Sequence, residues 1–240
     1  YPIFSTYSEK QRGHMKKIKN LSFILSALLI GFTAVTFTAC DESTDPSSNG
    51  DENILTETIS NDITLVASKK YTLKGNVFVA PGVTLTIEPG TVIFGDKVTK
   101  GALIIERGAI IDAQGTEANP IVFTSSAPAN FRNYGDWGGL VILGKAQNNQ
   151  NANQPIEGIT AGANGQYGGF TDNDNSGTLM YVRIEFAGIA LSTDNELNGL
   201  TMASVGSGTT INHIQVSFSG DDSFEWFGAT VNAQYLVAYR

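Results

Sequence analysis

The sequence predicts an all-β chain wound into a parallel β-helix, and three observations lead there. From Ile54 onward no apolar spacing of helical period runs for any length, and Gly or Pro interrupts nearly every apolar run. Short alternating runs recur instead. Val83, Leu85 and Ile87 alternate with Thr84, Thr86 and Glu88 before Pro89-Gly90, and Leu103 and Ile105 lead into Glu106-Arg107-Gly108. These runs also fall into register with one another. Glu88-Pro89-Gly90 lies on Glu106-Arg107-Gly108 at a spacing of 18, which sets Val92 on Ile110 and Ile93 on Ile111. Val182, Ile184 and Phe186 fall on Ile214, Val216 and Phe218 at a spacing of 32. Repeats near 20 residues with Gly, Asn or Asp at the turns describe coils that stack and bury their inward side chains in one continuous core. An antiparallel sandwich also uses short alternating strands, but tight hairpin turns are scarce here and an 18-residue register has no place in it.

The elements follow in order. Residues 1–14 read as upstream sequence without fold meaning. Residues 15–39 have the build of a signal peptide with a helical apolar stretch: Met15, the basic Lys16, Lys17 and Lys19, an apolar run from Leu21, and Thr38-Ala39 before Cys40. Cys40 is the sole cysteine, so no internal disulfide and no thiolate zinc site is expected. Standing at the end of that run, it is the expected lipid attachment point. Bacterial lipoprotein boxes usually carry Leu three residues earlier, where this chain has Phe37. More than one acyl chain holds a protein stably on a bilayer. Residues 40–53 are polar and acidic and read as a flexible tether. In some Gram-negative bacteria such an acidic run directs surface export, and in others Asp after the Cys retains the protein at the inner membrane. The expected address is the outer membrane or cell surface. The β-helix domain then runs over 54–240, with 145–178, rich in Asn and Gly, as a loop bulging from one corner. Tyr235 to Arg240 reads as a strand without turn or cap, which suggests a helix incomplete at its C-terminal end.

Charge narrows the partners. Lys and Arg number 15 against 23 Asp and Glu; five of the former and one of the latter precede Cys40, leaving 10 against 22 and a net −12. Nucleic acid, which requires clustered basic residues, is not an expected partner.

Three places carry candidate chemistry. Asp221, Asp222 and Glu225 put three carboxylates within five residues beside Phe224, Trp226 and Phe227. Such a group suits calcium or glycan binding, or acid–base work, and equally a turn in which Asp caps backbone amides. Asp172-Asn173-Asp174-Asn175-Ser176-Gly177 opens like a calcium loop, but Arg183 stands where a bidentate Glu is required; a calcium ion there would use Asp172 and Asp174 with ligands from another coil. His213 should face outward with Gln215 and Ser217 if Ile214, Val216 and Phe218 face inward, and the 32-residue offset places Tyr181, Arg183 and Glu185 on the same face. A serine hydrolase is disfavoured, since no nucleophile elbow occurs and His213 is the sole histidine after Cys40.

The stretches Gly82-Val83-Thr84-Leu85-Thr86-Ile87-Glu88-Pro89-Gly90-Thr91-Val92-Ile93, Asn119-Pro120-Ile121-Val122-Phe123-Thr124-Ser125, Asp136-Trp137-Gly138-Gly139-Leu140, Tyr181 to Gly188 and Ser219 to Gly228 resemble a family of cell-surface lipoproteins common in Bacteroidota. The resemblance spans roughly residues 60–240. It implies a right-handed parallel β-helix and assigns no activity. By analogy with β-helix pectate lyases, which set acidic calcium ligands beside a basic residue, Arg183 with Asp222 would be the catalytic pair. The expected role is a lipid-anchored binding or structural module for a glycan, matrix or surface protein, with a polysaccharide lyase or glycoside hydrolase as the alternative. Replacing Cys40 with Ala is expected to abolish acylation and release the protein from membranes; retention of the variant in washed membranes contradicts a lipid anchor.

Overall fold

A computed structural model describes residues 52–159, 162–192 and 195–240. The upstream segment, the signal segment with its expected helix, Cys40 and the tether through residue 51 lie outside the described residues. The strands follow one another as coils. The first coil holds β1 (Glu52–Leu55), β2 (Thr58–Ile59) and β3 (Ile63–Leu65). The second holds β4 (Lys70–Leu73), β5 (Asn76–Val79) and β6 (Thr84–Ile87), the third β7 (Val92–Gly95), β8 (Ala102–Ile105) and β9 (Ile110–Gln114). The fourth begins with β10 (Ile121–Ser125) and β11 (Gly139–Leu143), then carries an insertion with β12 (Gln154–Pro155) and β13 (Gln166–Tyr167) before β14 (Gly177–Glu185). A hairpin, β15 (Ile189–Ser192) and β16 (Asn195–Leu197), precedes β17 (Leu200–Val205) and β18 (Thr210–Ser217); β19 (Phe224–Ala229) and β20 (Asn232–Tyr239) end the series. The only helices among the described residues are two 3₁₀ turns, Ala129–Phe131 and Ala163–Gly165.

Coils pair strictly in parallel: β1-β4-β7-β10-β14 along one face, β2-β5-β8-β11-β17-β19 along the second, and β3-β6-β9-β14 along the third. The long strands belong to two faces. The first half of β14 pairs with β9 and its second half with β10, and β18 and β20 repeat this bend. The bend sits at Tyr181, His213 and Tyr235, all left-handed at φ 49°, 54° and 55°. In the third-to-fourth coil step the same corner takes the whole connection 115–120, between β9 and β10. The parallel β-helix inferred from the sequence is the observed fold.

Inward positions stack like on like. Tyr71, Ile93, Phe123, Ile184 and Val216 are successive partners on one face, and all are buried. Val77, Leu103, Leu140 and Leu200 do the same on the second. Each fully buried aliphatic side chain contributes about 1.5–3 kcal/mol. The second face is also covered on its outside. Ile156, Ile159 and Tyr167 from the insertion, with Ile189 and Leu197 from the hairpin, form a second apolar cluster over Ala102, Ile104, Val141, Leu143 and Ala203.

Two sequence expectations need correction. The 18-residue register is not a coil: Val92 pairs with Lys70 and Val122, at spacings of 22 and 30, and Ile110 pairs with Thr84. What repeats is a turn. Val83, Thr91 and Ala109 each donate a backbone hydrogen bond to the carbonyl three residues earlier, around Gly82, Gly90 and Gly108 at φ 83°, 83° and 86°. Glycine in the third place of such a turn, twice after Pro, is the signature of type II. Gly82 and Gly108 mark one corner in successive coils and Gly90 marks the next corner, so the 18-residue spacing from Gly90 to Gly108 runs between different corners. Secondly, Phe186 and Phe218 do not point into the core. Both are left-handed (φ 61° and 57°) and half-buried, and their rings stack at 5.1 Å. A left-handed residue breaks the alternation that would have turned them inward. The 32-residue register itself holds, pairing Val182 with Ile214 and Ile184 with Val216.

Asp136-Trp137-Gly138-Gly139 forms a packed corner. Trp137 is fully buried, lies parallel to Phe123, and donates from Nε1 to the Glu185 carbonyl at 2.8 Å. A Cβ on Gly95 would stand 2.3 Å from the Trp137 ring, so only glycine admits it. Asp136 is buried, which opposes its charge. Lys97 at 2.8 Å, the Ser125 hydroxyl at 2.6 Å and the Asn133 amide at 3.0 Å outweigh that and hold its carboxyl below the usual 3.8. A group lowered on folding stabilises above its unfolded value, and that stability is lost as pH falls through the folded value. Asp136→Asn is therefore expected to be destabilised at neutral pH and to lose less stability than the parent on acidification below about pH 4, read by urea unfolding across pH. Trp137→Ala should cost about 3–5 kcal/mol in the same assay.

Candidate functional site

The outer stripe of the first face is built by the β14–β18 register, which sets Arg183 beside Gln215 and Glu185 beside Ser217. At the corner preceding them, Tyr181, His213 and Tyr235 stack ring on ring with centroids 4.4 Å apart at both steps. Left-handed backbone at a non-glycine residue costs on the order of 1–3 kcal/mol, and aromatic contact between successive corners offsets it. His213 Nδ1 is buried in the stack without a hydrogen-bond partner. Arg183 is half-exposed and ion-paired to Glu185 at 2.5 Å. Glu185 also accepts from the Thr124 hydroxyl at 3.1 Å, and that hydroxyl in turn accepts from Arg132. A groove of about 280 Å³ opens at this corner, lined by Tyr181, Arg183, His213, Gln215, Glu117 and Pro120. The last two belong to the 115–120 connection, so the groove lies under Tyr181 where the ring stack ends.

The second cluster surrounds Glu225. In register Glu225 lies on Thr201 and Trp226 on Met202. Neighbours on a strand face opposite ways. Trp226 accordingly shares the core-facing side with Phe224, their rings 6.2 Å apart, and Glu225 faces the covered outer side. Asn198, 2% exposed, donates from Nδ2 to Glu225 Oε2 at 2.6 Å, while its Oδ1 has no partner. Burial, and then the charges of Glu157, Asp222 and Glu196, outweigh the Asn198 bond and hold the Glu225 carboxyl above the usual 4.5. Burial and the charge of Glu225 likewise raise the Tyr167 phenol. Glu157 accepts from the Glu196 amide at 3.1 Å, which ties the insertion to the hairpin.

The remaining candidates are engaged with main chain. Asp174 is buried and accepts from the Lys145 amide at 2.9 Å, and Asp172 accepts from the Gln147 amide at 3.0 Å. These carboxylates pin the two ends of the insertion together. Asp221 accepts from the Asp222 amide at 2.9 Å, and the Asp222 carbonyl receives the Gly199 amide and the Ser219 hydroxyl. Asp222 thus sits in the turn between β18 and β19, while Arg183 spends its charge on Glu185. Among the described residues no group of three His, Cys, Asp or Glu is arranged to hold a metal ion. Glu117, Glu157, Glu196, Asn198 and Tyr167 escaped sequence reasoning, because they lie in connections whose length follows no repeat. For Glu157 the one usable signal was a charged residue beside apolar Ile156 and Ile159 in an otherwise polar loop.

Comparison with known proteins matches residues 57–240 to the pectate-lyase-like β-helix domain. No curated protein and no solved structure matches the chain. With its parallel coils, its long corner insertion and that match over most of its length, the chain belongs to the family of pectate-lyase-like β-helix domains.

Proposed function

We propose that the protein is a lipid-anchored surface β-helix that binds a glycan through its outer stripe, with Cys40 as the attachment point and the outer membrane or cell surface as its address. The observation that carries the binding role is the groove beneath Tyr181. A sugar ring entering it would extend the Tyr181–His213–Tyr235 stack by one rung, with Arg183, Gln215 and Glu117 within reach of its hydroxyls. Aromatic faces with a few convergent polar groups are the ordinary composition of such a site. Family membership supports a carbohydrate-related role. Fold alone does not choose between binding and turnover.

A second reading, a glycoside hydrolase, rests on Glu225: a carboxyl whose hold on its proton is strengthened by burial, with other carboxylates near it, is what acid–base cleavage of a glycosidic bond needs.

Titrating the full chain with neutral and uronic-acid oligosaccharides in a calorimeter separates the two. Tyr181→Ala is expected to weaken binding on the order of tenfold, about 1.4 kcal/mol. Unchanged affinity in that variant removes the groove from the account. Bond cleavage lost in Glu225→Gln with binding intact would establish the second reading.

A further inference from the structure

The Glu225 cluster that the second reading draws on also joins separate elements of the fold. Carboxylates reach it from four elements: Glu157 from the insertion, Glu196 from β16, Asp222 from the β18–β19 turn and Glu225 from β19. Tyr167 from β13 also faces it, and every charge acting on Glu225 is negative. Arg107 donates to the Ala152 and Gly168 carbonyls and to Asn153, and is not among the charges that act on Glu225. The polar partners of Glu225 are Asn198 and Thr201, and Asn198 Oδ1 is a buried acceptor left without a donor. The Asn198–Glu225 pair is therefore short of a hydrogen-bond donor, and a proton on the Glu225 carboxyl supplies one.

The same groups tie the outer cover to the sheet. Glu157 to the Glu196 amide links insertion to hairpin, and Asn198, directly after β16, links the hairpin to Glu225 on β19. Beneath them lies the apolar cluster of Ile156, Ile159, Tyr167, Ile189 and Leu197 over the second face. We propose that one proton carried by Glu225 latches the insertion and the β15–β16 hairpin over the second face, and that this cover loosens as the proton leaves. The sign follows from linkage. A carboxyl that holds its proton in the fold but loses it in the opened state favours the closed form at low pH, and that preference is lost as pH rises through the folded value.

Hydrogen exchange of the full chain tests this, comparing parent with Glu225→Gln at each pH so that the intrinsic pH dependence of exchange cancels. In the hairpin, residues 189–197, the exchange rate of the parent relative to the variant is expected to rise on the order of tenfold between pH 5 and pH 8, since each unit of a single titration is worth up to that factor. A flat ratio overturns the latch. A ratio that calcium suppresses and a chelator restores also overturns it, because the missing charge would then be a cation. Should Glu225→Gln not fold, Glu157→Gln decides: removing one negative neighbour must move the transition to lower pH, and an unmoved transition overturns the proposal.

Discussion

Everything in this molecule depends on the main-chain ladder running along the helix axis. Each coil's amides and carbonyls point at the coils above and below, so a coil is satisfied only when a neighbour lies on it in register. That constraint selects like-on-like columns. Tyr71, Ile93, Phe123, Ile184 and Val216 stack because a polar residue in such a column would be buried between apolar neighbours without a partner. It leaves corners unconstrained in length, as the contrast between one residue at Tyr181 and a whole connection at 115–120 shows. Variation, and with it chemistry, collects at the corners.

The corners in turn create the two sites. On the first face, single left-handed residues carry aromatic rings that stack from coil to coil, and the stack ends in a groove because the coil below makes the corner differently. On the second face, a long insertion and a hairpin fold back over the sheet and bring carboxylates from distant parts of the chain against Glu225. The same exterior that in a bare solenoid would face water is here a second apolar layer. Burial then does to Glu225 what solvent would not.

How much of this was legible in the sequence depends on which physical signal each residue left. Val182 and Ile214 could be paired because the residues that follow each, Ile184 and Val216, keep the alternation at one coil spacing. Val92 and Ile110 were misaligned because type II turns of the same look stand at two different corners, so Pro-Gly and Arg-Gly recur faster than the coil does. Phe186 and Phe218 read as core because alternation carries no mark of a left-handed residue. Trp226 and Glu225, adjacent in sequence, looked like one site, yet the pleat sends them to opposite faces. Glu157 left only its place beside apolar Ile156 and Ile159, and Asn198 left no mark, since their position near Glu225 depends on where two connections of unrepeated length fold back.

The central claim is that the aromatic stack continues into a ligand. Proton–carbon NMR of ring-labelled tyrosine, recorded while an oligosaccharide found to bind is titrated in, tests it most directly. An aromatic ring covered by a sugar feels a changed local field, whereas a distant one does not. The account predicts that the Tyr181 ring resonances shift in proportion to occupancy while those of Tyr71, buried in the core, stay fixed. Saturable binding that leaves Tyr181 unmoved and shifts Tyr167 instead would place the ligand against the covered second face and contradict it.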